Sequence, residues 1–317
     1  MNNMVTVICA TYNHEKYIKK TLDGFLEQKT SFAVEYIIRD DASTDHTADI
    51  LRKYENKYPG FFTVIYEKEN QWNKGIIPYF SQKVILETKS KYVAFCEGDD
   101  YWCDENKLQK QVDLMEKNSN ASFCVHANYE LNDKTGKLKE KHPFIKDGFL
   151  SVEDVMLEPY GMPATCSMLM RTSMIKQYPI YDLVCPVGDR NRRMFLIDKG
   201  PALYIDEAMS VYRVNNSTSF GGKLYDYEKS MSLVEHMNSF FDSFNEYTNY
   251  KYEKYIALLK ERELISHYTR FKEYDLIVKT DYYKRYFPFV SKVKLLIKWK
   301  LTPIYNLYRK INKLGIC

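Results

Sequence analysis

Acidic residues follow two predicted buried strands of this chain. Asp40 and Asp41 follow an apolar run at residues 36–38 after one arginine, and the tetrapeptide 97–100, Glu-Gly-Asp-Asp, follows another apolar run at residues 92–96. Open parallel sheets bind ligands beyond the carboxyl ends of their strands, where both groups would lie. Carboxylates repel phosphate, so a phosphate site built from them calls for a divalent cation, Mn²⁺ or Mg²⁺, between the two. A single Asp pair is also common in turns and helix caps, but two groups at equivalent positions favour a ligand site.

The surrounding sequence predicts the elements that position these groups. In the first 118 residues, apolar runs typical of buried strands alternate with segments whose apolar residues recur at helical spacing. Repeated β-α units of this kind favour an α/β fold with a mostly parallel sheet covered by helices. The predicted strands lie at residues 5–10, 36–38, 61–66 and 92–96, and the predicted helices at residues 18–29, 45–58, 80–87 and 108–115.

Beyond residue 118 the pattern becomes mixed. Strand-like runs at residues 122–131 and 166–170 enclose a polar, hairpin-like loop at residues 134–141. A helix is predicted between Gly188 and Gly200. From about residue 225 onward the chain is dense in Tyr, Lys and Glu and is predicted to be helical.

The composition is that of an ordinary soluble globular enzyme, with 45% hydrophobic and 28% charged residues in a chain of 317. Seven widely spaced cysteines form no Cys-x-x-Cys pair, which argues against a disulfide framework or a zinc site. The apolar run at residues 5–10 is too short for a signal peptide, and no stretch reaches the ~20 apolar residues that span a bilayer. We therefore predict a cytoplasmic protein.

Three short motifs carry a family resemblance. They are Val-Thr-Val-Ile-Cys-Ala-Thr-Tyr-Asn at residues 5–13, Ile-Ile-Arg-Asp-Asp-Ala-Ser-Thr-Asp at residues 37–45, and Glu-Gly-Asp-Asp at residues 97–100. In order and spacing they resemble the inverting family 2 glycosyltransferases, among them those that build bacterial capsule and cell-surface polysaccharides. The resemblance covers roughly residues 4–215. It implies a metal-dependent enzyme that moves a sugar from a nucleotide-diphosphate donor, expected to be UDP-linked, to a saccharide acceptor.

The resemblance also implies the architecture. The family has the GT-A fold, a Rossmann-like α/β fold of nucleotide-diphospho-sugar transferases with a mixed, mainly parallel sheet flanked by helices. We expect a GT-A domain at residues 1–220, with a nucleotide-sugar-binding half at 1–118 and an acceptor half at 119–220. Residues 221–317 are expected to form a helical, basic extension.

Five residues match family positions that contact the donor and its metal. The resemblance implies that Ala10 and Tyr12 line the nucleotide pocket, that Asp41 hydrogen-bonds the uracil edge, and that Asp99 approaches the ribose or the sugar. It implies that Asp100 binds the metal.

The chain departs from the family pattern at three positions. Glu97 stands where the family usually has Asp, and we expect it to be a supporting acid. Ala42 replaces a usual Gly. Asn215 replaces a His that can assist the metal, so metal binding is expected to rest mainly on Asp100 and phosphate oxygens.

A catalytic base must accept the proton of the acceptor hydroxyl as that oxygen attacks the anomeric carbon, which suits a carboxylate. The family places the base at the start of a helix, and Asp189 in Val-Gly-Asp-Arg resembles that position. A structural acid stabilised by the helix dipole, worth only ~0.3–1 kcal/mol, is the alternative. Arg190 is a candidate phosphate contact or part of a solvated helix face. Trp102 is a candidate stacking surface for the acceptor sugar or an anchor for its loop.

The carboxyl-terminal segment concentrates positive charge. Residues 279–317 contain ten Lys or Arg against one Asp, a balance of +9 in a chain of net charge +4. Apolar residues between positions 290 and 304 cluster on one helical face beside lysines, although Pro303 is expected to disturb a continuous helix. A basic amphipathic segment favours an anionic membrane surface, which suits a lipid-linked saccharide acceptor at the inner face of the membrane. A helix packed on the domain is the alternative. No nucleic-acid recognition motif accompanies the charge, so we predict no nucleic-acid partner.

Two other functions fit parts of the pattern. A nucleotidyltransferase also uses a metal and aspartates on a related fold, but such enzymes normally carry a Gly-rich phosphate loop after the first strand, where this chain has Thr11, Tyr12 and Asn13. The four aspartates assigned above speak against a membrane-peripheral scaffold that has kept the fold and lost turnover. We favour sugar transfer.

Overall fold

The computed structural model describes residues 3–71, 79–144, 146–159, 161–179, 185, 188–214 and 226–313. The chain forms two compact units. The first unit contains Met1–Tyr181 and Val187–Gly222, and the second contains Asp182–Pro186 and Lys223–Cys317.

The first unit begins with the predicted alternation of strands and helices. Its elements are β1 Val5–Thr11, α1 Ile18–Leu26, β2 Val34–Asp40, α2 Thr47–Lys57, β3 Phe62–Tyr66, α3 Tyr79–Glu87 and β4 Tyr92–Phe95. The four strands are parallel neighbours in the order β3-β2-β1-β4. Continuous apolar runs form the central strands because both faces of the sheet are covered, and all four residues of β4 are buried.

The rest of this unit adds strands of both directions to the sheet. Its elements are β5 Tyr101–Trp102, α4 Lys107–Lys117, β6 Phe123–Asn132, β7 Leu138–Lys141, β8 Gly148–Leu150, α5 Val152–Leu157, β9 Leu169–Arg171, α6 Thr172–Ile175, α7 Gly188–Lys199 and β10 Ala202–Val214. The sheet has the order β3-β2-β1-β4-β9-β6-β10-β5, with β7 beside β6 and β8 beside β10. Because β9 is antiparallel to both β4 and β6, and β10 is parallel to β6, the strands β1, β2, β3, β4, β6 and β10 run in one direction. The predicted mixed, mainly parallel sheet is confirmed.

The run at residues 166–170 is not the continuous strand that the sequence predicts. A 3-10 helix covers Thr165–Ser167, and only Leu169–Arg171 joins the sheet. The Trp102 indole N–H donates to the Cys166 carbonyl oxygen at 2.9 Å. This carbonyl group is therefore bonded to a side chain and not to the backbone N–H of a neighbouring strand.

Close packing fixes the strand that follows the second acidic group. A Cβ atom at Gly24 of α1 would lie 2.7 Å from the Trp102 carbonyl oxygen, so α1 contacts β5 at backbone distance. The rings of Phe25 and Trp102 pack edge to face with centroids 4.9 Å apart. These contacts hold β5, and the acidic residues just before it, against the body of the unit.

The second unit is helical in its described part. Its helices are α8 Tyr227–Tyr247, α9 Glu253–Phe271, α10 Tyr274–Ile277, α11 Asp281–Tyr286 and α12 Phe289–Lys313. Buried apolar residues join α8 and α9, among them Phe240, Phe244 and Leu259. The expectation that Pro303 interrupts the last helix is wrong, because α12 continues past it. Proline removes one backbone donor, and the turns on either side keep theirs.

Candidate active site

Backbone hydrogen bonds bring the two acidic groups to one edge of the sheet. The Asp41 N–H donates to the Thr11 carbonyl oxygen at 2.9 Å, and the Gly98 N–H donates to the Ala10 carbonyl oxygen at 2.9 Å. The end of β1 therefore lies between the acids that follow β2 and those that follow β4. Both groups stand at the carboxyl ends of parallel strands, where the sequence predicts a ligand site.

A chain of charged side chains orients the Asp41 carboxylate. Its Oδ1 accepts hydrogen bonds from Arg39 Nη2 at 2.8 Å and from the Gln71 N–H at 2.9 Å. Arg39 in turn donates from Nε to Glu67 Oε1 at 2.9 Å. The next residue, Ala42, has a φ of 60°. A side chain is disfavoured in this left-handed region, which explains why a Gly suits the position.

Gly98 makes room for two buried polar side chains beneath the second acidic group. A Cβ atom at Gly98 would lie 2.6 Å from Thr11 Oγ1 and 3.0 Å from His14 Nδ1. Within the described residues, neither of these two atoms has a hydrogen-bond partner. His14 Nε2 lies 3.9 Å from Asp99 Oδ2. Burial lowers the pKa of His14, although Asp99 opposes the shift, so the ring is neutral at pH 7.

Residues 97–100 form a turn, called the acidic turn below, in which the Asp100 N–H donates to the Glu97 carbonyl oxygen at 3.0 Å. Asp100 is buried, with only 2% of the residue exposed. Its Oδ1 accepts a hydrogen bond from the Arg213 N–H at 2.8 Å, and its carbonyl oxygen accepts one from the Thr21 hydroxyl at 2.6 Å. Burial, followed by the charges of Asp99 and Glu97, raises the pKa of Asp100 well above its usual range. Burial and Asp99 likewise raise the pKa of Glu97 to about 7. Both shifts disfavour the charged carboxylates, and a cation bound at the turn would oppose the shifts by favouring the ionised forms.

Arg213, whose peptide group holds Asp100, is itself anchored by its side chain. The guanidinium lies 4.8 Å from the centroid of the Tyr17 ring, and Nη1 is 3.5 Å from Asp133 Oδ1. The Tyr17 hydroxyl donates to Asp133 Oδ2 at 2.7 Å. This cluster fixes β10 at the point where it contacts the acidic turn.

Asp189, whose side chain is 26% exposed, lies in the first turn of α7 beside the buried charges of Arg193 and Glu158. Its Oδ2 accepts a hydrogen bond from Arg193 Nη1 at 2.7 Å, and its Oδ1 accepts one from the Arg190 N–H at 2.8 Å. Arg193 also donates to Glu158 Oε1 at 2.7 Å, and Arg190 Nη2 lies 3.8 Å from Glu158 Oε2. Burial acts to raise the pKa of Asp189, but Arg193 outweighs it and the pKa lies below its usual range. Asp189 is therefore ionised near neutral pH. Both Arg193 and the amino terminus of α7 favour this charged form.

Tyr212 lies on β10 next to Arg213, whose N–H donates to Asp100. It shares a strand face with Ser210, whose Oγ lies 3.3 Å from Cys166 Sγ. Burial raises the pKa of the Tyr212 phenol, and the carboxylates that add to this shift are those of Asp100, Glu97, Asp99 and Asp189. The residue is 39% exposed, so a ligand can reach it. Tyr212 opens residues 212–216, a segment that resembles the family's closing Tyr-Arg-Val-His motif, but the motif alone assigns no role to the Tyr212 phenol.

Trp102 is not available to stack on an acceptor sugar, and that predicted role is wrong. Only 2% of the residue is exposed, because its ring packs in the core and its indole N–H is bonded to a carbonyl group. Lys107 Nζ lies 3.9 Å from the centroid of the ring. Trp102 instead anchors the loop, the alternative role. Lys107 is fully buried, and burial lowers its pKa to about 8.

Two of the remaining predicted positions lie at the end of β1, and one lies outside the residues that the structure describes. Ala10 is exposed near the end of β1, and Tyr12 is half-buried just after it. Asn215 lies outside the described residues. The assignment of Ala10 and Tyr12 to a nucleotide pocket, and of Arg190 to phosphate, stays a prediction.

Within the described ranges, no three His, Cys, Asp or Glu side chains are grouped so that they could hold a metal ion by themselves. Mg²⁺ is usually bound by one or two carboxylates, with substrate phosphates and waters as the other ligands. Asp100, together with the nearby charge of Asp99, fits that smaller donor set.

Solved structures share this fold. The TarS 1-349 fragment of S. aureus in complex with UDP-GlcNAc gives a TM-score of 0.61 at 18% identity, covering 89% of this chain and 77% of that chain. The mannosyltransferase PcManGT from Pyrobaculum calidifontis, in complex with GDP-Man and Mn2+, gives a TM-score of 0.54 at 14% identity, covering 96% and 83%. The predicted GT-A fold is confirmed.

Relatives of higher identity match a part of the chain. The uncharacterized protein Rv1520 of Mycobacterium tuberculosis is 38% identical over 152 residues, which are 48% of this chain and 43% of that protein. TuaG of Bacillus subtilis, described as a putative teichuronic acid biosynthesis glycosyltransferase, is 37% identical over 125 residues, 39% of this chain and 47% of that protein. The chain thus spans less than half the length of these relatives. The family model described as Glycosyl transferase family 2 matches residues 6–178, more than half of the chain. The chain belongs to glycosyl transferase family 2.

Proposed function

We propose that the chain is an inverting glycosyltransferase that moves a sugar from a UDP-linked donor to a saccharide acceptor carried by a lipid. The observation that carries the proposal is the pair of backbone hydrogen bonds that bring Asp41 and the acids after β4 to either side of the end of β1, at one edge of the sheet. Membership of the family and the place of the acids at the carboxyl ends of parallel strands support it.

In this proposal Asp189 is the catalytic base. As the acceptor hydroxyl oxygen attacks the anomeric carbon, Asp189 accepts its proton. The bond from the anomeric carbon to the diphosphate oxygen breaks, and the nucleoside diphosphate leaves with that electron pair. Attack on the side opposite the leaving group inverts the anomeric carbon. Asp189 suits this step because Arg193 holds the carboxylate in place and keeps it ionised, as a base requires, although the lowered pKa costs some basicity.

The donor is proposed to lie along the edge formed by β1, β2 and the acidic turn. Ala10 and Tyr12 line the nucleotide, Asp41 hydrogen-bonds the uracil edge, and Asp99 contacts the ribose or the sugar. The geometry supports this because Arg39 and the Gln71 peptide group fix the Asp41 carboxylate. The TarS complex with UDP-GlcNAc supports a UDP-linked donor.

Asp100 is the proposed ligand of Mn²⁺ or Mg²⁺, with Asp99 and Glu97 as supporting charges. When bound, the cation supplies positive charge that neutralises the diphosphate during binding and departure. The raised pKa of Asp100, caused by burial and then by its acidic neighbours, supports the assignment because a cation relieves both effects. The Mn2+ in the PcManGT complex is consistent with it.

The acceptor is proposed to be a saccharide on a lipid carrier at the inner face of the membrane. The description of TuaG, which links that relative to teichuronic acid biosynthesis, supports a cell-surface saccharide. Arg190 is the proposed contact for an acceptor phosphate, because it adjoins Asp189 in the first turn of α7.

The test is a screen of nucleotide sugars by thermal shift with Mn²⁺, followed by product analysis with the donor that raises the melting temperature. Release of UDP with sugar transfer, lost in Asp189→Asn, is the expected result. Release of pyrophosphate from a nucleoside triphosphate and a sugar phosphate would identify a nucleotidyltransferase. Absence of turnover with every donor that binds would indicate a non-catalytic scaffold. Either the release of pyrophosphate or the absence of turnover would overturn the proposal.

A further inference from the structure

Helix α12 exposes a continuous apolar surface. Its members are exposed by 38–80%, and at about 100° per residue they fall within an arc of about 140°. We call this surface the α12 stripe, and it consists of Phe289, Val290, Val293, Leu296, Ile297 and Leu301. Single exposed apolar residues are normal on protein surfaces, but six on one helix face mark an interaction surface.

The stripe is exposed although the helix is docked by its opposite side. Leu295 is 7% exposed, so it packs inward. Lys292 Nζ donates to the Lys284 carbonyl oxygen at 2.6 Å and lies 5.7 Å from the centroid of the Tyr283 ring in α11. The inward face is thus already used, and the stripe points the other way.

Positive charge accompanies the stripe. Residues 289–317 contain seven Lys or Arg and no Asp or Glu. On the described part of α12, the side chains of Lys294, Lys298 and Lys300 are exposed. At helical spacing, Lys294 and Lys298 border one edge of the stripe and Lys292 the other, while Lys300 falls within its arc near Leu301. An apolar strip edged by lysines matches the boundary between the acyl chains and the anionic headgroups of a bilayer.

The positive charge beside the stripe favours a bilayer surface over a second copy of the chain as its binding partner. Pairing two α12 stripes would bring one lysine-rich segment against another, and like charges at close distance repel. An anionic surface turns the same lysines into favourable contacts, each worth about 1 kcal/mol near the headgroups.

We propose that the α12 stripe and its lysines bind the surface of an anionic lipid bilayer, with the helix lying in the interface. No helix in the described part of the chain is long and apolar enough to cross a membrane, so the mode is surface binding. The inference deepens one part of the proposed function, the lipid-borne acceptor, and does not rest on the chemistry of transfer.

The test is co-sedimentation of the full chain with vesicles of phosphatidylcholine alone and of phosphatidylcholine mixed with phosphatidylglycerol. We expect binding to the anionic vesicles that weakens as salt is added. Lys294→Gln/Lys298→Gln should lower that binding roughly thirty-fold, at about 1 kcal/mol per lysine. Leu296→Gln/Ile297→Gln should lower it roughly tenfold or more through lost apolar contact.

Matched controls come from the first unit. Lys137→Gln/Lys139→Gln removes two exposed lysines, and Leu86→Gln/Leu138→Gln removes two leucines that are 53% and 51% exposed. Both controls should bind vesicles as the unchanged chain does. Equal binding by the unchanged chain and the two α12 variants would overturn the inference. So would sedimentation equilibrium that shows a dimer lost in Leu296→Gln/Ile297→Gln.

Transfer to a soluble saccharide separates this inference from the proposed function. Retained transfer with lost vesicle binding in the α12 variants is the expected result. Vesicle binding by a chain that transfers no sugar would refute the proposed function and still support the α12 surface.

Discussion

Replacing Arg193 by methionine tests how α7 holds its acidic residue. The guanidinium bridges Asp189 Oδ2 and Glu158 Oε1, each at 2.7 Å, and the side chains of Arg193 and Glu158 are both 5% exposed. Arg193→Met keeps the apolar stem and removes the cation that both carboxylates share. Breaking a buried ion pair costs about 3–5 kcal/mol, so we expect the free energy of unfolding of the first unit to fall by about that amount.

The assay is urea unfolding followed by tryptophan fluorescence in a Trp299→Phe background. Of the three tryptophans, the other two, Trp72 and Trp102, belong to the first unit, so the signal reports on that unit. Lys83→Met is the matched control. It removes an ion pair of the same i,i+4 spacing whose side chains are 59% and 66% exposed, and it should cost less than about 1 kcal/mol.

Arg193→Met should also change how the rate of sugar transfer depends on pH. The pKa of Asp189 is below its usual range because Arg193 outweighs the effect of burial. A depressed acid pKa stabilises the folded state above the unfolded-state pKa, and this contribution is lost as pH falls through the folded-state pKa. In Arg193→Met burial acts with less opposition, so the acid limb of the rate of sugar transfer should move to higher pH. An unmoved acid limb with an unfolding cost no larger than that of the control would refute the role given to Arg193.

Three further substitutions test local features of the first unit. Ala42→Gly should stabilise it by about 1 kcal/mol in urea unfolding, because Ala42 has a φ of 60°; a destabilised variant would show that the turn needs the methyl group. Gly98→Ala should disrupt the acidic turn and abolish donor binding by calorimetry, because the new Cβ would lie 2.6 Å from Thr11 Oγ1; unchanged affinity would contradict this. Lys107→Met should raise stability at pH 7 by up to about 3 kcal/mol, since burial lowers the lysine pKa to about 8. Between pH 8 and the unfolded-state pKa the folded protein binds fewer protons, so the stability of the unchanged chain rises with pH and the gain shrinks. A gain independent of pH would be inconsistent with a buried charged lysine.

The alternating part of the fold could be predicted because its signals are local. Buried strands such as residues 5–10 read as continuous apolar runs, and the helices between them keep one apolar face. The run at residues 166–170 has the apolar pattern of a strand, but a contact distant in sequence, from the Trp102 indole, decides its conformation. Pro303 predicts a disturbed helix, whereas α12 continues past it, because a proline removes one backbone donor and leaves the hydrogen bonds of the neighbouring turns.

The candidate site could be predicted only where short motifs mark it. Asp41, Asp99 and Asp100 follow strands, and the structure brings them to one edge of the sheet. His14 reaches that edge through the fold and has no sequence signal of its own, whereas Tyr212 belongs to a segment that resembles a family motif without giving its phenol a role.

The central claim is a division of labour in which Asp100 serves the donor and Asp189 serves the acceptor. Its most direct test measures the affinity for the nucleotide-sugar donor with Mn²⁺, by calorimetry, in Asp100→Asn and Asp189→Asn, with the single-turnover rate of transfer recorded on the same samples. We predict that Asp100→Asn loses Mn²⁺-dependent donor binding, whereas Asp189→Asn keeps it and transfers sugar about 10²–10⁴-fold more slowly. Unchanged donor affinity in Asp100→Asn, or an unchanged transfer rate in Asp189→Asn, would contradict the claim.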